Sequence, residues 1–480
     1  MGPMGHSTDF RSAARQAADL IADYLDGLPD RPVWTPMSAE AREALLELPL
    51  PEQGTGLDAL LGEVAAKVLP HPMGNGHPRF FGWVNAAPAP AGVLGAFAAT
   101  AVNPSSAGGD HADVHLERSV VRWLAELVGF PHPAGGGLLT SGASMATIVA
   151  LGAARNRAAA GLGVDVREAG LSALPPLVGY VSAETHSCVR KAAELLGLGS
   201  RHLRTVATDA AGHLDPVALR LEIAEDLAAG RVPFLVAASA GTVNTGAVDD
   251  LDALADVCAE FGLWLHVDGA YGAFGRLDPA SAHRYAGLER ADSLALDPHK
   301  WLGVPVDCGC VLVRDAEQLR GTFSLVPPYL RDDAAGGLGW FSEYGIEQTR
   351  PFRSLKVWAT IAASGREGIV RDVSRCCALA RTLGELVTAA DDLELLAPVE
   401  TSIVAFRYRP AGLDEETLHR VNALLPVAVQ ERGEAFVTGT VLGGREAVRA
   451  CLLNAATTEQ DLRVLLDEVR EAGAALVKGA

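Results

Sequence analysis

Lys300 ends the tetrapeptide Asp297-Pro298-His299-Lys300 directly after an apolar run, a setting in which a charged amine is costly unless it has a partner or a task. Lysine is also the side chain that forms Schiff bases once desolvation or neighbours lower its pKa. Upstream, Leu265-His266-Val267 ends in Asp268 and runs on into Gly269-Ala270-Tyr271. Such an acid is either a turn cap or a carboxylate facing the nitrogen of a cofactor ring, where it keeps that nitrogen protonated and the ring electron-poor. A glycine-rich lead from Gly135 through Ser141-Gly142-Ala143-Ser144 enters a helical pattern. Free amides at a helix start, with the Ser144 hydroxyl, suit a phosphate, although neither a P-loop nor a dinucleotide fingerprint is present. His186, after Ser182-Ala183-Glu184-Thr185, is either a helix cap or an imidazole laid on a ring, and Thr242 in Ala240-Gly241-Thr242 offers a hydroxyl. Each stretch has an ordinary structural reading. In chain order they supply a phosphate cradle, a stacking ring, a hydroxyl, a ring-nitrogen acid and a Schiff-base amine.

Groups so far apart in sequence converge only if the elements that carry them end at one edge. Apolar runs over Leu177–Ser182, His202–Val206, Phe234–Ser239, Leu263–Val267, Ser293–Leu296 and Gly309–Val313 read as strands. Helical patterns lie between them, at Ser144–Ala160, Pro216–Ala229 and Leu251–Phe261. Strands apolar on both faces and separated by helices predict a mostly parallel sheet covered on each side, with ligands beyond the carboxyl ends of its strands. An amphipathic helix is predicted over Asp9–Leu28, where Phe10, Ala13, Ala17, Leu20, Ile21, Tyr24 and Leu25 form one stripe. Beyond a long helical stretch at Phe352–Leu386, a strand at Ser402–Tyr408 and a terminal helix at Glu459–Ala475 suggest a separate α+β lobe. The expected segments are 1–85, 86–370 and 371–480.

At 480 residues, 49% hydrophobic and 21% charged, the chain can bury more than one core and needs no disulfide staples. Its formal charge of −19 argues against nucleic acid or an anionic membrane as partner. A small-molecule enzyme fits better. Seven cysteines, an odd number without a CxxC pair, point to reduced thiols in the cytoplasm, with Cys376 and Cys377 as packing residues and no metal expected. The N-terminus lacks the pattern of a signal peptide, and the most apolar window, Ala86–Val102, contains Pro88 and Pro90 and is too short to span a bilayer.

The motifs His266–Tyr271 and Asp297–Trp301, with His77-Pro78-Arg79-Phe80-Phe81 before them and Phe352-Arg353-Ser354-Leu355-Lys356 after, resemble the group II pyridoxal-phosphate decarboxylases. That family includes the aromatic-L-amino-acid, histidine and glutamate decarboxylases. The resemblance implies an α/β fold of the aspartate-aminotransferase type, with an N-terminal arm, a large cofactor domain on a mostly parallel sheet and a small α+β C-terminal domain. It implies a homodimer with active sites at the interface and the arm packed on the partner subunit. Carried over by position, the Schiff base with pyridoxal 5'-phosphate falls on Lys300, the ring-nitrogen acid on Asp268 and the stacking ring on His186. Phosphate contacts fall on Ala143 and Ser144, while Thr242, Ala270 and His299 line the cofactor. Trp83, Val84 and Asn85 match the stretch that shapes the substrate pocket. One departure is Asp297, where the mammalian aromatic enzyme has an asparagine near the phosphate, so that two anions would repel unless the carboxylate turns away.

The activity implied is decarboxylation of an L-amino acid to the amine and carbon dioxide, with aromatic substrates first and aliphatic, basic or acidic ones behind. An aminotransferase or carbon–carbon lyase on the same fold is a rival, as is a homologue without catalysis. A second departure lies in the loop between Pro327 and Pro351, expected to close as a lid on the hinges Gly336, Gly337 and Gly339. The family's proton-donating loop tyrosine falls on Phe341, whose ring has no proton to give. Either Tyr344 replaces it, or oxygen intervenes and the product is an aldehyde, as in plant relatives with phenylalanine there, or Phe341 merely packs the closed lid.

Overall fold

The computed structural model describes residues 8–131, 136–325 and 339–479 and divides into two compact units. The larger comprises Val84–Glu385 with Ala397–Ala405; the smaller gathers the residues up to Trp83 with Leu386–Leu396 and Phe406–Ala480. The N-terminal segment is thus grouped with the C-terminal one.

In the larger unit a seven-stranded sheet is built from β1 (Gly137–Thr140), β2 (Leu177–Ser182), β3 (Leu203–Val206), β4 (Val232–Ser239), β5 (Trp264–Asp268), β6 (Ser293–Leu296) and β7 (Gly309–Val313), in the order β1-β7-β6-β5-β4-β2-β3. The pairs β2–β3, β2–β4, β4–β5 and β5–β6 are parallel, whereas β7 runs antiparallel to both β1 and β6. β1 therefore points the same way as β6, and the carboxyl ends of every strand except β7 share one edge. Every residue of β1, β2, β5, β6 and β7 is buried, as a sheet covered on both faces requires. The helix Ala143–Gly161 lies on this sheet, and its buried face of Ala146, Ala150, Ala153 and Ala154 allows close approach.

The helices fall close to their expected bounds, at Pro216–Ala228, Leu251–Phe261 and Arg353–Thr388, the last broken at Gly365 with φ 61°. In the smaller unit the helices Thr8–Asp26, Glu415–Arg432 and Glu459–Gly479 accompany a second sheet. Its strands are β8 (Leu393–Leu395), β9 (Ile403–Tyr408), of which Phe406–Tyr408 belong to this unit, β10 (Thr438–Leu442) and β11 (Arg445–Cys451), in the order β10-β11-β9-β8. Phe80 stacks on Phe436 at 4.8 Å, with Trp34 edge-on to the same ring.

Candidate active site

The last residue of β5 is Asp268. Its Oδ1 accepts a hydrogen bond from Ala270 N at 3.1 Å, so the turn that follows the strand fixes the carboxylate. Its Oδ2 accepts from the Cys188 thiol at 3.7 Å. Burial pushes that thiol up to about 12, so it is the protonated partner. His186 caps the helix Ser187–Leu195, its Nδ1 accepting from Cys188 N at 3.2 Å. With Nδ1 committed to the cap, the proton of the neutral ring sits on Nε2. The ring is open on one side, yet the protein packed around it holds its pKa below the ordinary value; the Lys300 ammonium pushes the same way and Asp268 opposes. A neutral imidazole, a thiol and a carboxylate thus gather with their polar atoms within 4.8 Å of one another.

Lys300 follows β6 by one turn, its N donating to Asp297 O at 2.9 Å. Its Nζ lies 3.0 Å from Asp297 Oδ2, while Asp297 Oδ1 accepts from Ala143 N at 2.6 Å. Ala143 is the first residue of the helix that begins at the end of β1, and the preceding Gly142 provides no side-chain cap. Asp297, arriving from β6, supplies that cap from another element. Ser144 stands exposed beside it. His299 turns its Nδ1 to the backbone of Cys308. Thr242 is buried, and its hydroxyl is engaged by Thr245 Oγ1 at 3.0 Å and Ala247 N at 3.1 Å, so it braces the loop after β4. Gly241, with φ 102°, lets this loop touch the one after β5: a Cβ there would stand 2.9 Å from Gly272 Cα.

Several supporting contacts carry no signal of their own in the sequence. Tyr271 and Trp301, one after each acidic or amine-bearing turn, stack at 5.1 Å with only 7° between their planes. The Tyr271 hydroxyl meets Ser402 Oγ at 2.6 Å and accepts from Ser402 N at 2.9 Å. Ser402 was expected in the C-terminal lobe, but Ala397–Ala405 belongs to the larger unit. Cys188 could have been noted two residues after His186, though nothing in its spacing gives its contact with Asp268.

Phe341 and Tyr344 lie in the core cluster that includes Leu138 and Val149. The Phe341 ring is held between the guanidiniums of Arg118 and Arg350, at 4.9 and 4.8 Å from its centroid. Tyr344 is buried near Arg320, Arg118 and Glu343, with burial raising its pKa. Both thus sit among these groups in the core, whereas His186, Asp268, Ala143, Asp297 and Lys300 come together at the sheet edge. Of the expected hinges, Gly339 has φ 66°, while Gly336 and Gly337 lie outside the described residues. Trp83 belongs to the smaller unit, and Val84 and Asn85 open the larger.

A model of the pyridoxal-dependent decarboxylase conserved domain matches residues 39–409. The chain is 34% identical to an aromatic-L-amino-acid decarboxylase of Bacillus atrophaeus, over 96% of this chain and 95% of that one. It is 31% identical to a phenylacetaldehyde synthase of Arabidopsis thaliana, over 95% and 93%. Among solved structures, that of Oryza sativa TDC with PLP and tryptamine matches with a TM-score of 0.91 at 29% identity, covering 99% of both chains. The residues at the sheet edge fit pyridoxal 5'-phosphate: an amine for its aldehyde, an anchored carboxylate for its ring nitrogen, a neutral imidazole for its face and a helix start for its phosphate. Fold, site and sequence agree, and the chain belongs to the pyridoxal-dependent decarboxylases.

Proposed function

We propose that this enzyme removes the α-carboxylate of an aromatic L-amino acid and releases the amine. The observation that carries this reading is the gathering of Lys300, Asp268 and His186 at one sheet edge, in a chain whose relative at 34% identity is named an aromatic-L-amino-acid decarboxylase. Pyridoxal phosphate, when bound, supplies an aldehyde for the substrate amine and a ring that withdraws electrons from Cα.

The chain's own residues do the rest. Lys300 would hold the cofactor through its amine between turnovers and would take it back when the product amine leaves. Asp268 would accept a hydrogen bond from the ring nitrogen, and its tie to Ala270 N holds it in place for that. His186, neutral because crowding disfavours its charged form, would cover the ring without repelling its protonated nitrogen, and its Nε2 proton would meet the substrate carboxylate. By fixing the orientation of that carboxylate, these residues would select which bond at Cα breaks. Ala143 and Ser144 are assigned the phosphate, with Thr242, Ala270 and His299 around the cofactor. The choice of side chain is assigned to Trp83, Val84 and Asn85 on family resemblance.

After carbon dioxide leaves, Cα needs a proton from a group within hydrogen-bond reach; Tyr344 is the donor assigned from the sequence, and since it is buried in the core here, it would serve only after leaving that position. A second reading, favoured by the missing hydroxyl at Phe341 and by the relative named phenylacetaldehyde synthase, is oxidative. Dioxygen and water then convert the amino acid to aldehyde, carbon dioxide, ammonia and hydrogen peroxide.

Both readings meet one experiment: a screen of the twenty amino acids for carbon dioxide release, with mass spectrometry of products and peroxide assay in air. An aromatic amine without peroxide supports the first reading, and aldehyde with peroxide supports the second. A 2-oxo acid without carbon dioxide would move the enzyme to transamination. Tyr344→Phe is expected to lower amine output and Phe341→Tyr to raise it. Unchanged amine output in both would remove the loop from the proton transfer.

A further inference from the structure

Asp297 is almost fully buried, and its two oxygens face two nitrogens of different elements. Oδ1 takes Ala143 N at 2.6 Å and Oδ2 takes Lys300 Nζ at 3.0 Å. Its backbone is held as firmly, with Asp297 N donating to Ala270 O at 3.1 Å and Asp297 O accepting from Lys300 N. The side chain therefore bridges the start of the helix Ala143–Gly161 and the lysine amine, and neutralises both. Those are the groups a phosphorylated aldehyde must claim: the amine for the covalent bond, the helix start for the phosphate dianion. A carboxylate and a phosphate cannot both accept from one amide without repelling each other at close range, and little water reaches Asp297 to screen them.

We infer that Asp297 competes with the cofactor for Ala143 N and Lys300, and so weakens cofactor binding in this enzyme relative to a neutral side chain at the same position. Loading requires the carboxylate to let go of both nitrogens, and its return speeds release. Asparagine in its place keeps the shape, removes the charge and can turn an N–H toward the phosphate. The inference rests on the assignment of Lys300 and Ala143 to the cofactor. Its two halves are separable, because pyridoxal, which lacks the phosphate, competes with Asp297 only at the amine.

The test begins with borohydride reduction of the full-length enzyme and peptide mapping. A label on Lys300 upholds the site assignment, and a label elsewhere overturns that assignment rather than the competition. Next, wild type, Asp297→Asn and Asp297→Ser, each full-length and freed of cofactor with hydroxylamine, are titrated with pyridoxal phosphate and with pyridoxal by tryptophan fluorescence. Both neutral variants are expected to bind pyridoxal phosphate about tenfold more tightly and to hold it longer on dialysis, with a smaller gain of about threefold for pyridoxal, which contests the amine alone; a gain for pyridoxal phosphate with none for pyridoxal overturns the Lys300 half. Unchanged or weaker pyridoxal phosphate binding in Asp297→Asn overturns the inference. Equal gains for both ligands overturn the phosphate half of it, leaving a contest for Lys300 alone.

Discussion

Asp268 is worth its burial only if it meets a positive partner. Ala270 N and the Cys188 thiol each occupy one of its oxygens, but both are neutral donors and neither offsets a full negative charge. The protonated ring nitrogen we assign to it would. Asp268→Asn keeps the shape and the contact from Ala270 but leaves that nitrogen without a counter-charge. Turnover should fall more than about 100-fold, with faster loss of cofactor on dialysis; an unchanged rate would show that another group protonates the ring. Lys300, Asp268 and His186 were legible in the sequence because each stands just past an apolar run, so its type and its address agree. Cys188 and Ser402 were not. Their roles exist only through partners on other elements, and a serine or buried cysteine at such a spacing looks like any other.

The strands that carry these residues are held in register by charges the catalytic chemistry does not use. Arg350, buried, pairs with the buried Glu117 and donates to Leu139 O and Ser106 O, while Glu117 accepts from Leu139 N. β1, a strand of four residues, is thereby clamped just before it delivers the helix start at Ala143. Arg350→Met strands the glutamate, and breaking such a pair costs about 3–5 kcal/mol, read as a lower urea midpoint; Arg350→Met combined with Glu117→Leu should recover most of it. A second clamp depends on pH. His213 meets Glu400 Oε1 at 2.8 Å and Asp209 Oδ2 at 2.9 Å, and these bonds, Glu400 first, raise it from 6.5 to about 9. A raised pKa means stabilisation that is complete below pH 6.5 and lost as pH climbs through 9. The thermal midpoint should drop between pH 6 and about pH 10, and His213→Gln should flatten that drop; an equal drop in the variant would assign it elsewhere. Of the six strands of the large sheet read from the sequence, all but β3, which is largely exposed or half-buried, are there because burial on both faces leaves an apolar run. β1 escaped notice because its Leu-Leu-Thr follows glycines that read as a loop. β10, half exposed along its length, carries no run at all, and its place depends on pairing with β11.

For the whole molecule, the formal charge of −19 keeps copies apart, so association has to come from apolar surface. The helix Thr8–Asp26 provides some. Of the stripe read from the sequence, Ala13 is buried within the chain, but Phe10 is 57% and Ile21 42% exposed. In the larger unit, Leu94 and Phe97 on the helix Pro90–Val102 are likewise exposed. The helix Thr8–Asp26 packs on Leu57–Lys67 within its own unit, but large apolar side chains left in solvent mark a surface that pairs. A second copy of the chain would satisfy this with one self-complementary interface, and covering what remains exposed of Phe10 and Ile21 would contribute about 1 kcal/mol for each. The cut that tests it falls after Asp26, because Leu28 packs against Gly76 inside its own unit and its loss would damage the fold rather than the pairing. Light scattering across a dilution series should find the full chain dimeric, and the shortened chain dissociating at a concentration at least about tenfold higher, since two copies each lose two such side chains. A full-length chain that stays monomeric and fully active, or a shortened one with an unchanged dissociation curve, removes the arm from assembly.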